Sequence, residues 1–149
     1  MVALEFAMKQ SKVEIYVHVV WATTYRARLI LPHMAPIVYG CIRDNALSLR
    51  ASVYAINGLE DHVHLAIRLP AMLGIAPLVK QLKGVSSHMI NERFQSDDHF
   101  SWQQGYGAFS VSRPHLPRVI RYIENQKTRH ENDQLWSEWE ISYDHVDAQ

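Results

Sequence analysis

Between Lys12 and Thr23 the chain alternates, with Val13, Ile15, Val17, Val19 and Trp21 on one side and Lys12, Glu14, Tyr16 and His18 on the other. A period of two predicts a strand. From Pro32 the spacing lengthens: Met34, Ile37, Val38, Cys41, Ile42 and Ala46 recur every three or four residues, which predicts an amphipathic helix with that stripe turned inward. Leu49, Ala51, Val53 and Ala55 return to alternation on one side of a second strand. Asn57-Gly58 offers turn chemistry before a third strand over Asp61 to Leu69. The longest helical pattern runs from about Ile75 to Phe94, with Leu78, Val79, Leu82, Val85, Met89 and Ile90 facing inward. After a polar stretch, Gly105 to Ser112 reads as a fourth strand. Pro114 and Pro117 then bracket the start of a last helix, whose buried side is Leu116, Val119, Ile120 and Ile123, out to about His130.

The order strand, helix, strand, strand, helix, strand, followed by one further helix, predicts an α+β fold. It is the ferredoxin-like βαββαβ arrangement with an antiparallel sheet. That architecture hosts many unrelated activities, so it identifies none. The 149 residues fit one domain, 1–131, and leave a short tail, 132–149.

Composition changes this picture in one respect. The formal net charge is zero, which would argue against a partner rich in phosphate. The zero is an average of two unlike regions: residues 1 to 130 hold all 15 Lys and Arg and 9 acids, whereas Glu131 to Gln149 hold 6 acids and no base. The body is basic and the tail acidic. Trp136 and Trp139 make that tail too apolar for a free extension, and they are expected to dock on the body or on a partner subunit. No secretory signal and no apolar run of about 18 residues is evident, so no membrane partner is expected and the cytoplasm is the default location. The single cysteine, Cys41, lies on the apolar stripe of the first helix and is read as a packed thiol without a role.

Chemistry concentrates in two places. Asp61-His62-Val63-His64-Leu65 sets two histidines two residues apart on a strand, so both imidazoles leave from one face. Such a pair can chelate a divalent metal, and imidazole suits transition metals better than Mg²⁺. By itself the triplet fits surface or hydrogen-bonded histidines equally well. On the last helix Tyr122 and Gln126 stand four apart on one stripe, with Arg118 one turn before Tyr122 and Arg129 nearby. A phenol beside a metal can act as a nucleophile, a carboxamide oxygen can complete the ligands, and guanidinium groups suit phosphate. An ordinary amphipathic helix with a half-buried tyrosine fits the same spacing.

Five blocks in order carry a resemblance: HVVWATTYR from His18 to Arg26, EDHVHL from Glu60 to Leu65, LVKQLKG from Leu78 to Gly84, WQQGYGAFSVS from Trp102 to Ser112, and YIENQ from Tyr122 to Gln126. Over about Lys12 to Glu131 the chain resembles the small single-tyrosine HUH transposases of insertion sequences, whose relatives include the REP-associated tyrosine transposases. The resemblance implies that His62, His64 and Gln126 bind a divalent metal, Mg²⁺ or Mn²⁺, and that Tyr122 is the nucleophile. It implies cleavage and rejoining of single-stranded DNA through a 5′-phosphotyrosine. It further implies recognition of hairpin ends, and a homodimer in which sheets join edge to edge, here through the fourth strand, and one subunit's tyrosine helix completes the other's histidine site; for this chain, whether Tyr122 serves its own or its partner's histidines is left open. The alternative is a domesticated protein that binds or processes hairpin DNA without mobilising its own gene. Arg26, Arg28, Lys80, Lys83, Arg118 and Arg129 are the candidates for DNA contacts. Tyr25 and Trp102 are candidates for base stacking, while Trp21 is read as core. Tyr106, in the fourth strand, is the rival nucleophile, and His18 is read as a hydrogen-bonded histidine near the site.

Overall fold

The structure, a computed structural model, describes residues 11–131, and for 129–131 the backbone alone. Four strands form one sheet: β1 (Ile15–Ala22), β2 (Ser52–Leu59), β3 (His62–Leu69) and β4 (Gly107–Val111). Their order is β2-β3-β1-β4 with every pair antiparallel, which is the topology expected from the hydrophobic pattern. The helices are α1 (Ala35–Ser48), α2 (Ile75–Phe94), α3 (Leu116–Glu124) and α4 (Gln126–Glu131). No described helix is long and apolar enough to cross a membrane.

The sheet is buried on both faces by different means. On one face Val17, Val19 and Trp21 of β1 and Val63, Leu65 and Ile67 of β3 meet Val38 and Ile42 of α1 and Leu78 and Leu82 of α2. This is the main core. On the other face Ala55 of β2 and Ala66 of β3 stand side by side, and Val119, Tyr122 and Ile123 of α3 seat on them. Two alanines leave room for the helix to lie close. Burial of each apolar side chain of α3 stabilises its docking by about 1.5–3 kcal/mol.

Several boundaries differ from the periodic reading, each for a physical reason. The first helix begins at Ala35, because residues 32–34 form a turn. Ala55 faces α3, not the main core, because a bulge between Val53 and Ala55 adds a residue and reverses the phase of the alternation. Cys41 is only partly buried. Tyr106 precedes β4, packing partly buried against the main core. The last helix breaks at Asn125 (φ −99°, ψ 19°) into α3 and α4. Residues 132–149, with Trp136 and Trp139, lie outside the described residues.

The hairpin between β2 and β3 turns at Glu60-Asp61, while Asn57 and Gly58 continue the strand, paired with His64 and Val63. Neighbouring backbone holds the turn in place of Asn-Gly chemistry. The Asp61 carbonyl accepts from Thr23 N at 2.9 Å, and the Glu60 carbonyl accepts from Leu29 N and Ile30 N at 3.1 and 2.9 Å. Gly58 serves close approach, since a Cβ there would lie 2.1 Å from the His62 carbonyl oxygen and 2.9 Å from Val63 Cα. Backbone must therefore move to admit any side chain. Gly58→Ala is expected to destabilise the protein by about 1–3 kcal/mol, read as a lower urea midpoint; an unchanged midpoint would mean that the hairpin yields without cost.

Candidate active site

The face under α3 holds the buried histidines. His18 of β1 and His62 and His64 of β3 are all buried there with Tyr122 of α3, and Gln126 at the start of α4 is buried as well. Strand geometry accounts for the histidines. The β1–β3 register puts Val20 opposite His64 and Ala22 opposite His62, and the even-numbered side chains of both strands leave from the same face. Helical geometry accounts for Tyr122, which shares the stripe of Val119 and Ile123 and is fully buried with them. Half-burial, expected of an ordinary amphipathic helix, is not what the structure has.

The rings form a compact group. His62 and His64 have centroids 5.1 Å apart at 77°. Tyr122 lies 5.9 Å from His64 and 6.2 Å from His18, both edge to face. His18 Nε2 and His64 Nδ1 are 2.8 Å apart, so one ring donates to the other. His62 Nδ1 is 2.7 Å from Asp61 Oδ1, which a carboxylate can make only as the acceptor, so His62 carries a proton on Nδ1 and its lone pair lies on Nε2. Arg26 Nη2 also approaches Nδ1, at 3.4 Å, but the shorter contact to the carboxylate governs.

Asp61 is itself held. Arg26 Nε reaches its Oδ2 at 3.2 Å. Burial raises the Asp61 pKa, but the hydrogen bond from His62 and the nearby Arg26 guanidinium outweigh it and hold the carboxyl below its usual range. The carboxylate is therefore an ionised acceptor at neutral pH. Arg26 reaches it from a left-handed backbone (φ 52°), as Tyr25 is also left-handed (φ 56°). Strain of about 1–3 kcal/mol per residue is offset by the ties around the turn, where Thr24 bonds Ser101 through backbone and hydroxyl and Thr23 Oγ1 donates to the Ala27 carbonyl at 2.7 Å. Sequence reasoning missed the role of Asp61, although its place directly before His62 was a signal.

The chemistry of the donor set can be tested against a metal. An imidazole bound through nitrogen at about 2.1 Å puts its ring centre roughly 3.2 Å from the ion, so two rings at right-angled to tetrahedral positions stand about 4.6–5.3 Å apart. His62 and His64 match that spacing at 5.1 Å. Among the described residues no cluster of three His, Cys, Asp or Glu forms a site. Among the described residues a third protein ligand would be of another kind, such as the buried Gln126 carboxamide.

The cationic candidates are spread around this centre. Arg28 and Lys127 border a pocket that also includes Tyr39, Glu60 and Asp61. Arg118 is exposed and lines a cleft with His18, Ser112 and His115. Lys80 is exposed, whereas Lys83 donates to the carbonyls of Gln103 and Gly105 at 2.6 and 3.0 Å, and burial lowers its pKa. The Arg129 side chain is outside the described set. Of the stacking candidates, Tyr25 is 81 % exposed, but Trp102 is core: it packs edge to face on Trp21 and Phe100 and donates Nε1 to Ser86 Oγ at 2.9 Å.

The chain is similar to several known transposases. The ISDra2 transposase TnpA of Deinococcus radiodurans is 26 % identical, over 84 % of this chain and 95 % of the relative. The transposase for insertion sequence element IS200 of Salmonella typhimurium is 24 % identical, over 85 % of this chain and 84 % of the relative. A transposase crystal structure from Deinococcus radiodurans superposes with a TM-score of 0.64 at 26 % identity, over 79 % of this chain and 95 % of the other. A REP-associated tyrosine transposase bound to a REP hairpin shares the fold, with a TM-score of 0.62 at 13 % identity over 82 % and 72 % of the two chains. The profile of the family described as Transposase IS200 like matches residues 11–126, a span that includes every residue of the buried polar layer. With that match across most of its length, the chain belongs to the IS200-like transposase family, enzymes that cut DNA strands and transfer them.

Proposed function

We propose that the chain cleaves and rejoins single-stranded DNA through a 5′-phosphotyrosine on Tyr122, at a divalent metal held by His62, His64 and Gln126. The observation that carries this reading is the edge-to-face contact of Tyr122 with His64, inside a layer that buries both HUH histidines. The bound ion would polarise a phosphoryl oxygen and stabilise the charge that develops on it.

The chain's own residues supply the rest. Tyr122 Oη attacks phosphorus; the P–Oη bond forms, the P–O3′ bond breaks, and the 3′ oxygen takes up a proton in place of the one the phenol loses. Rejoining is the reverse, with a 3′-hydroxyl attacking the phosphotyrosine. No cofactor is consumed, because the phosphotyrosine retains the energy of the broken diester. Asp61 fixes the His62 tautomer, and His64, if it donates from Nδ1 to His18, would likewise keep its lone pair on Nε2. Arg118, beside the His18 cleft, Arg28 and Lys80 would meet phosphates, as the sequence also suggests for Arg129, and Tyr25 would serve as a stacking platform. Arg26 acts through Asp61, and Lys83 through the loop it holds. The DNA partner is a single strand with hairpin ends, and a second copy of the chain joins along β4, an edge strand whose Ala108 and Ser110 are exposed.

The test is chemical. With Mn²⁺ or Mg²⁺ and a single strand carrying the end of its own element, the protein is expected to form a covalent adduct that survives denaturing electrophoresis. Hairpin binding without an adduct under any metal would overturn the reading in favour of a binding protein. A related expectation concerns Asp61: Asp61→Asn keeps the shape but weakens the acceptor for His62, so Mn²⁺ affinity is expected to fall about 10–100-fold by calorimetric titration. Unchanged affinity would remove Asp61 from the site.

A further inference from the structure

We infer that Asn57 is a positioning residue for this reaction, its carboxamide splinting the break in the C-terminal helix so that Tyr122 and Gln126 meet the histidine layer together. The inference rests on the reading of Tyr122 and Gln126 given above and extends it to a strand residue that no part of that reading uses.

Tyr122 and Gln126 belong to different helices, for the chain leaves helical geometry at Asn125. In an unbroken helix residues four apart share a face through the backbone itself. Here something else must fix the second helix relative to the first. The apolar anchors Val119 and Ile123 all precede the break, so they locate Tyr122 and leave the direction of α4 open.

Asn57 touches both sides of the break. Its Nδ2 donates to the carbonyl of Glu124, the last residue of α3, at 3.0 Å. Its Oδ1 accepts from Nζ of Lys127, the second residue of α4, at 2.9 Å. Carbonyls in the last turn of a helix lack the N–H groups of a following turn, so the Glu124 bond also acts as a cap. Asn57 is moreover the cross-strand partner of His64, which puts its side chain on the histidine face. One short carboxamide thus links the strand pair that presents a proposed ligand to the joint between the proposed nucleophile and the third ligand.

The role is testable in the full chain with Asn57→Ala, Asn57→Asp and Lys127→Ala. The readouts are single-turnover adduct formation at saturating single-stranded DNA, DNA affinity, Mn²⁺ affinity and thermal midpoint. Asn57→Ala is expected to slow adduct formation about tenfold and to weaken Mn²⁺ several-fold, with DNA affinity within about twofold of the parent. Asn57→Asp keeps the acceptor for Lys127 but sets a carboxylate against the Glu124 carbonyl, and is expected to be as slow. Lys127→Ala, at an exposed position, is expected to slow the step about threefold with an unchanged midpoint, which decides the matter if the Asn57 variants fold poorly. Adduct formation at the parental rate, faster adduct formation, or a loss confined to DNA affinity would overturn the splint. Its failure can be told from failure of the underlying reading: if Tyr122→Phe abolishes the adduct while Asn57→Ala and Lys127→Ala leave its rate intact, the splint alone is wrong.

Discussion

Tyr122→Phe removes one oxygen and is expected to eliminate the protein–DNA adduct, lowering strand cleavage by at least ~10³-fold. The magnitude follows from chemistry: without Oη there is nothing on that ring to bond to phosphorus, and no bound metal can substitute for a missing nucleophile. The variant is also a clean one. Tyr122 is fully buried by packing of its ring on His18 and His64 and on the Ala55–Ala66 floor, and phenylalanine retains that packing. Loss of a buried hydroxyl should cost about 1–3 kcal/mol of stability, so lost activity with a cooperative unfolding transition isolates the chemistry. Tyr106→Phe is the matched control, at a residue packed against the opposite core, and should retain the adduct. An adduct that persists in Tyr122→Phe and vanishes in Tyr106→Phe would reassign the nucleophile.

The second large effect is expected at His64. His64→Gln keeps a polar side chain of comparable length but replaces the imidazole that faces Tyr122 and contacts His18. Both the proposed ligand and the bond that orients it are lost. Cleavage is expected to fall at least ~10²-fold and Mn²⁺ affinity to fall with it, while hairpin binding, which depends on surface cations, should persist. Parental cleavage by His64→Gln would place the metal elsewhere. Because His64 is buried, a thermal melt must accompany the assay, and only a variant with a cooperative transition can be judged.

How much of this was legible in the chain differs by element. β1 and α2 were plain because each carries enough periodic apolar residues for local pattern and tertiary burial to agree. The common face of His62 and His64 follows from strand geometry alone. What was hidden depends on contacts distant in sequence. The Asp61–His62 bond and the Arg26 ion pair require the 23–30 segment to fold over the hairpin. The same backbone donors let Glu60-Asp61 make the turn that Asn57-Gly58 advertised. The bulge before Ala55 carries no residue signature, and it reverses which side chains meet α3. Trp102 looked available for stacking until Ser86, sixteen residues earlier, supplied the partner for its indole. Tyr122 was distinguished from the other tyrosines by the ordered blocks of resemblance. Its burial among histidines is a separate, physical reason.

The close approach at Gly58 also has a genetic side. Any base change at the first or second position of a glycine codon yields either a residue bearing a Cβ or a stop signal. At Gly58 every such residue would drive that carbon against the carbonyl of His62, itself a proposed metal ligand. A copy drifting without selection can therefore fall silent through a single nucleotide at this codon, with all five residues of the buried polar layer still spelled correctly.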